Sequence, residues 1–145
     1  MFLILMWEKR DIMSTLINVK IGIIDDDPMF FKLMKKMLEP EGVILSYYEN
    51  GALALKDLGN HSFNIVLLDL HMPELNGGEF MIKLSELKMI NQFEIILVTA
   101  DNLSENEKYN YYSLGINEVL HKPVHKKELL NAIQACLSYL SESVN

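Results

Sequence analysis

The sequence predicts an α/β fold, in which parallel strands and helices alternate to form one doubly wound five-stranded sheet. Short apolar or β-branched runs alternate with helical patterns five times along the 145 residues. Several of these runs are apolar throughout, as expected for strands that helices cover on both faces. The length fits one domain with a core of ordinary size, so a second domain is not expected.

The predicted strands are short segments bounded by turn residues or carboxylates. The strongest is Phe63 to Asp69, a continuous apolar run that ends abruptly at a carboxylate. Lys20 to Asp25 and Phe93 to Thr99 show the same pattern. The five strands are predicted at 20–25, 43–50, 63–69, 93–99 and 118–121.

The predicted helices follow these strands in turn. In the first helix, Phe31, Met34 and Leu38 recur at helical spacing with lysines between them. Asp27 before Pro28 is typical of a helix N-cap followed by proline at the first helical position. The five helices are predicted at 28–38, 51–59, 79–87, 104–114 and 126–139, with a loop at 71–78 before the third.

Composition excludes several classes of function. The formal net charge of −7 argues against direct nucleic-acid binding and against an acidic membrane surface, because both require a basic face. The single cysteine, Cys136, excludes an internal disulfide and suits a cytoplasmic location. The four histidines lack the HExxH spacing of a zinc site.

The chain is predicted to comprise an N-terminal extension at 1–18, a domain at 19–141 and a polar tail at 142–145. The opening stretch, MFLILMWEKRD, is too short to span a bilayer. Its positive charges follow the apolar run rather than precede it, so a signal peptide is not predicted. We expect a dispensable extension, with Met13 as an alternative start.

Polar side chains stand where four of the predicted strands end. Asp25 and Asp26 end the first strand, Asp69 the third and Thr99 the fourth, while Lys122 follows the fifth. Because functional groups gather at the carboxyl ends of parallel strands, these residues are predicted to share one cleft. Closely spaced carboxylates favour a divalent cation, and Mg²⁺ prefers oxygen ligands.

Each of these residues also has a purely structural interpretation. Asp25 and Asp26 could be polar strand ends, Asp69 and Thr99 could be turn residues, and Lys122 could be a surface residue. The coincidence of five suitable side chains at the expected strand ends favours a functional site.

Four segments together resemble the receiver domain of two-component response regulators, of the chemotaxis-type, single-domain kind. They are IIDDDP, LLDLHMPELNGGEF, ILVTA and GINEVLHKP, and the resemblance covers about residues 20–140. It implies the flavodoxin-like (βα)₅ fold, which agrees with the alternation of strands and helices. We favour a stand-alone protein. The alternative is a receiver domain excised from a longer chain.

The resemblance also implies a role for each site residue. Asp69 would be the phosphoacceptor and would contribute to the Mg²⁺ site. Asp26 would bind Mg²⁺ directly, Asp25 would help through water, and the backbone carbonyl of His71 would be a further ligand. Thr99 and Lys122 would contact the phosphoryl group, and the Lys122–Pro123 peptide bond would be cis.

The implied partners are proteins. A sensor histidine kinase or histidine phosphotransfer protein would donate the phosphoryl group, and a downstream protein target would receive the signal. The protein would catalyse only its own phosphorylation and dephosphorylation. Homodimerisation through the fourth helix, fifth strand and fifth helix stays open.

One departure and two rival functions qualify the resemblance. Val119 occupies a position that is usually aromatic in the family, so we expect signalling through backbone movement of 100–113. We further hypothesise that the His71 imidazole alters the lifetime of the phosphoryl group.

One rival function is that of a haloacid-dehalogenase-type phosphatase. Such enzymes have a second acid two residues after the nucleophile, where this chain has His71. The other rival is a pseudo-receiver binding module that is not phosphorylated.

Overall fold

The computed structural model describes residues 16–142, which contain five strands and five α-helices. The strands are β1 (Lys20–Ile24), β2 (Ile44–Tyr48), β3 (Ile65–Asp69), β4 (Glu94–Thr99) and β5 (Glu118–His121). The helices are α1 (Pro28–Leu38), α2 (Gly51–Leu58), α3 (Gly77–Glu86), α4 (Glu105–Ser113) and α5 (Lys126–Glu142). A 3₁₀ turn at Glu39–Glu41 follows α1. The predicted alternation is therefore confirmed.

The strands form one parallel sheet in the order β2-β1-β3-β4-β5. After β1 the chain forms β2 on one side and then returns to form β3 on the other side of β1. The connections diverge at this point, so a crevice lies beyond the carboxyl ends of β1 and β3. This topology is that of the doubly wound, flavodoxin-like fold predicted from the sequence.

Apolar side chains cover both faces of the sheet, as the uninterrupted apolar strands predict. On one face, Ile21 and Ile23 belong to the same buried cluster as Met34 of α1 and Ile133 of α5. On the other face, Leu68 belongs to a cluster that includes helical residues such as Phe80 of α3 and Leu58 of α2. The two-sided burial leaves the ends of the strands as the places where polar groups can gather.

The first helix begins and ends as its sequence indicates. The Asp27 side chain accepts a hydrogen bond from the backbone N–H of Met29, which confirms its N-cap role. Gly42 adopts a left-handed conformation, with φ of 86°, and ends the 3₁₀ turn that follows the helix.

The third helix begins two residues earlier than predicted, at Gly77 instead of Glu79. Asn76 caps it by accepting from the backbone N–H of Glu79. A Cβ atom on Gly77 would lie 2.9 Å from the backbone oxygen of Asp69. The glycine therefore serves the close approach of this helix to the end of β3, and the loop interpretation of this position was wrong.

The core includes side chains on both sides of the predicted domain boundary at 18/19. Leu16 is 0% exposed and Val19 is 7% exposed, and both pack in the cluster that contains Met34. Residues 1–15 of the predicted extension and residues 143–145 of the predicted tail lie outside the described residues. Among residues 16–142, no helix is both long and apolar enough to cross a membrane.

Candidate functional site

The predicted site residues converge at the carboxyl edge of the sheet. Asp25 follows β1, Asp69 ends β3, Thr99 ends β4 and Lys122 follows β5. The backbone N–H of Lys122 donates to the backbone oxygen of Thr99 at 2.8 Å, which holds the loop after β5 against the end of β4. One cleft therefore contains residues that are almost one hundred positions apart in the chain.

Three carboxylates form the acidic part of the cleft. Asp25, Asp26 and Asp69 each present an oxygen, and these oxygens all lie within 4.8 Å of one another. Asp25 is 1% exposed and Asp69 is 7% exposed, whereas Asp26 is exposed. Their mutual repulsion is large in this buried setting, so the arrangement requires positive charge nearby.

Lys122 supplies a positive charge from within the chain. Its Nζ atom donates to Asp25 Oδ2 at 2.8 Å and lies 3.5 Å from Asp69 Oδ1. Burial by itself lowers the pKa of Lys122, but the hydrogen bond and charge of Asp25, together with the charge of Asp69, raise it above its usual value overall. Lys122 is therefore a stable cation in this cleft.

Asp69 has an altered acidity. Its burial and the adjacent negative charge of Asp25 raise its pKa to about 6, against the opposing effect of the Lys122 ammonium. At pH 7 and above, the carboxyl group is still mostly ionised. A buried carboxylate with few compensating charges is poorly solvated, which suits a nucleophile.

Asp25 is the most constrained of the three acids. Its Oδ1 atom accepts from the backbone N–H of Asp27 at 2.8 Å, and its Oδ2 atom accepts from Lys122. Asp26 is exposed. The direct role of Asp26 and the water-mediated role of Asp25 in cation binding stay predictions.

Thr99 presents a buried hydroxyl at the end of β4. The side chain is 1% exposed, and its Oγ1 atom accepts a hydrogen bond from the backbone N–H of Asp101 at 3.1 Å. This bond uses a lone pair of the oxygen and does not consume the hydroxyl proton. The hydroxyl can therefore donate to an anionic group at the site.

Asp101 is a site-adjacent residue that the sequence analysis missed. Its carboxylate pairs with the imidazole Nε2 of His71, and both side chains are largely exposed. The pair joins the loop after β3 to the loop after β4, beside Asp69. One feature of the sequence could have indicated this pair: Asp101 lies two residues after Thr99, just as His71 lies two residues after Asp69.

Val119 leaves room beside Thr99. It is partly buried against the cluster that includes Leu97, and with Thr99, Leu103 and His121 it lines a pocket of about 200 Å³.

The Lys122–Pro123 peptide bond is cis, as the resemblance implied.

The side chains fit a divalent cation. Three carboxylates with oxygens in mutual reach form the hard, oxygen-only donor set that Mg²⁺ prefers. The single ammonium of Lys122 cannot neutralise three acids. The contribution of the His71 carbonyl stays a prediction.

A family model described as the response regulator receiver domain matches residues 21–134. Among relatives, the chain is 36% identical over 118 residues to the transcriptional regulatory protein CpxR of Escherichia coli K12, covering 81% of this chain and 49% of CpxR. The chain thus spans about half the length of CpxR. It is 32% identical over 125 residues to the two-component response regulator ARR22 of Arabidopsis thaliana, covering 85% of each.

Solved structures show the same architecture. A CheY-like response regulator receiver domain protein from Methanospirillum hungatei JF-1 superposes with a TM-score of 0.77 at 26% identity, covering 87% of this chain and 98% of that one. The signal receiver domain of a Luxo repressor protein from Vibrio parahaemolyticus has a TM-score of 0.78 at 19% identity, covering 89% and 98% respectively. At that identity the second likeness concerns the fold alone.

Proposed function

This chain belongs to the response regulator receiver domain family, and on that premise we propose that Asp69 accepts a phosphoryl group from a phosphohistidine of a partner protein. The observation that supports this most directly is the convergence of Asp69 with two further carboxylates and the Lys122 ammonium. A binding module without phosphoryl chemistry has no need for this charge arrangement, which is costly to bury.

In the transfer, an oxygen of the Asp69 carboxylate attacks the phosphorus atom. The new P–O bond forms as the P–N bond to the donor imidazole breaks, and the imidazole leaves with a proton from solvent. The product is an aspartyl phosphate. Lys122 and the Thr99 hydroxyl lie at the same edge of the sheet and supply donors for the phosphoryl oxygens.

Asp25, Asp26 and Asp69, with the backbone carbonyl of His71, would hold Mg²⁺. When bound, the ion would supply positive charge for the transferring oxygens and relieve the repulsion among the acids. The chain's own residues then position the nucleophile and report its modification. The protein modifies itself and turns over no separate substrate.

The signalling partners in this proposal are proteins in the cytoplasm. The donor is a sensor histidine kinase or a histidine phosphotransfer protein, and the phosphorylated surface is recognised by a downstream protein target. With Val119 beside Thr99, we propose that phosphorylation is transmitted by backbone movement of 100–113. The acidic net charge of −7 opposes direct binding of nucleic acid.

The test is the intact mass of the protein after incubation with acetyl phosphate, in Mg²⁺ and in EDTA. We expect the gain of one phosphoryl group, dependent on Mg²⁺ and abolished in Asp69→Asn. The matched control, Asp57→Asn, removes an acid of α2 and keeps the gain. A wild-type protein that gains no mass and does not bind beryllofluoride contradicts the proposal and indicates a pseudo-receiver.

A further inference from the structure

The Lys122 ammonium contacts an aromatic ring in addition to the two carboxylates. Its Nζ atom lies 4.4 Å from the centroid of the Phe30 ring, over the face of that ring. Phe30 belongs to α1 and is 8% exposed, and the Lys122 side chain is 22% exposed. The ammonium is therefore bounded by Asp25, Asp69 and Phe30.

The ring contact differs in kind from the two ion pairs. The face of an aromatic ring carries negative electrostatic potential and attracts a cation, more strongly where water is partly excluded. The attraction depends weakly on the exact orientation of the N–H bonds. An ammonium on a flexible four-carbon stem can thus turn between neighbouring anions while it stays over the ring.

Such freedom is what the proposed reaction requires of Lys122. Before transfer its neighbours are the carboxylates of Asp25 and Asp69, and afterwards one neighbour is a phosphoryl group on Asp69. We infer that Phe30 is a positioning residue, whose ring face keeps the Lys122 ammonium at the phosphoacceptor while the lysine turns from the Asp69 carboxylate to the phosphoryl oxygens. This inference rests on the proposed function of Asp69.

Packing alone does not require an aromatic side chain here. Phe30 lies at the margin of a core cluster otherwise composed mainly of aliphatic residues. It also lines a surface groove with Met29, Leu33 and Val124. A leucine or methionine could fill much of the same apolar volume, so a packing role predicts an effect on stability without a specific effect on phosphoryl transfer.

The experiment compares rates of Asp69 phosphorylation by acetyl phosphate at saturating Mg²⁺. We expect Phe30→Leu to lower the rate by about three- to tenfold, and Phe30→Tyr, which keeps the ring, to stay within about twofold. Replacement of Phe30 by pentafluorophenylalanine keeps the ring nearly the same size but reverses its electrostatic potential. We expect that protein to fold and to react as slowly as Phe30→Leu.

The matched control is Phe93→Leu, which removes an equally buried ring (5% exposed) at the opposite end of the sheet. It is expected to lower stability and leave the phosphorylation rate unchanged. A second measurement does not depend on phosphoryl transfer. In metal-free protein, the effects of Phe30→Leu and Lys122→Met on the free energy of unfolding should be non-additive, because the residues interact.

The outcomes separate this inference from the proposed function. If wild type shows no Asp69-dependent labelling, the proposed function fails and the role of Phe30 fails with it. If wild type is labelled while the Phe30→Leu and pentafluorophenylalanine proteins react at the wild-type rate, the role of Phe30 is overturned and the function stands. Additive effects of Phe30→Leu and Lys122→Met on stability also overturn it.

Discussion

Lys122 Nζ donates a hydrogen bond of 2.8 Å to Asp25 Oδ2, although ninety-seven positions separate the two residues in the chain. This contact joins the loop after β5 to the end of β1 across the carboxyl edge of the sheet. It holds a cation beside two buried acids. The charge balance of the site therefore depends on the complete fold.

Removal of this cation should destabilise the protein. In EDTA, we expect Lys122→Met to lower the free energy of unfolding by about 2–4 kcal/mol, because Asp25 is left buried without its partner. Addition of Asp25→Asn should recover part of the loss. Urea denaturation measures the effect, and Lys83→Met, which removes an exposed lysine, should change stability by less than about 0.5 kcal/mol. Equal effects of the two lysine variants would contradict the importance of the Lys122–Asp25 pair.

Mg²⁺ should stabilise the folded state, because its binding relieves repulsion among the three acids. At a Mg²⁺ concentration ten times the dissociation constant, we expect a gain of about 1.4 kcal/mol, measured by urea denaturation. Sodium chloride at equal ionic strength is the control, and Asp26→Asn should weaken the response to Mg²⁺. An equal Mg²⁺-dependent gain in the free energy of unfolding in wild type and in Asp26→Asn would indicate that the ion binds elsewhere.

The pair of His71 and Asp101 should prolong the life of the phosphorylated state, because it draws two loops together beside Asp69 and limits the access of water. We expect His71→Ala to shorten the lifetime by up to about fivefold, since an exposed pair of polar side chains contributes at most about 1 kcal/mol. Asp101→Ala should act similarly, and the double variant should add little. The loss of phosphoryl mass after removal of acetyl phosphate measures the lifetime. Unchanged kinetics in His71→Ala would refute the hypothesis.

Glu94 should make stability depend on pH. Its Oε2 atom is buried without a hydrogen-bond partner among the described residues, and burial raises its pKa, against a hydrogen bond from Asn117. The folded state then holds this proton more tightly than the unfolded state. The resulting stabilisation is complete below the unfolded pKa of about 4.3 and is lost as the pH rises through the folded pKa.

Glu94→Gln should therefore be increasingly more stable than wild type as the pH is raised from 4 to 8. Thermal unfolding across this range measures the difference. The nearby Cys136 thiol stays protonated across this range, because burial raises its pKa to about 12. Glu128→Gln, which changes an exposed side chain of α5 in the same way, is the matched control measured at each pH. A stability difference that stays constant with pH would contradict a raised pKa at Glu94.

Leu16 should contribute to the stability of the domain, although it precedes the predicted boundary. The side chain is 0% exposed, so Leu16→Ala should cost about 2–5 kcal/mol through lost contacts and a cavity. Its neighbour Ile17 is 60% exposed, and Ile17→Ala should change stability by less than about 0.5 kcal/mol. Urea denaturation distinguishes the two. Equal, small effects would support the predicted boundary at 18/19.

The five strands could be predicted because they are short apolar or β-branched runs bounded by turn residues or polar groups, and two of them, β1 and β3, lead directly into carboxylates. The start of α3 could not, because Gly77 and Gly78 look like loop residues until the close approach of Gly77 to the Asp69 backbone is known. The pairing of His71 with Asp101 was missed for a related reason. Each residue follows a different strand, and their distance depends on how two loops fold back over the sheet.

The sequence alone determined the alternation of strands and helices, the N-cap at Asp27 and the identity of the residues at the strand ends, since these depend on local patterns of polarity and turn chemistry. The tertiary structure decided which of those residues meet in one cleft and how their pKa values are shifted there. The sheet order places β1 between β2 and β3. Burial and the adjacent Asp25 then raise the pKa of Asp69, and the ring of Phe30 comes to lie against Lys122. Such effects depend on distance and exclusion of water, which emerge only when distant segments pack together.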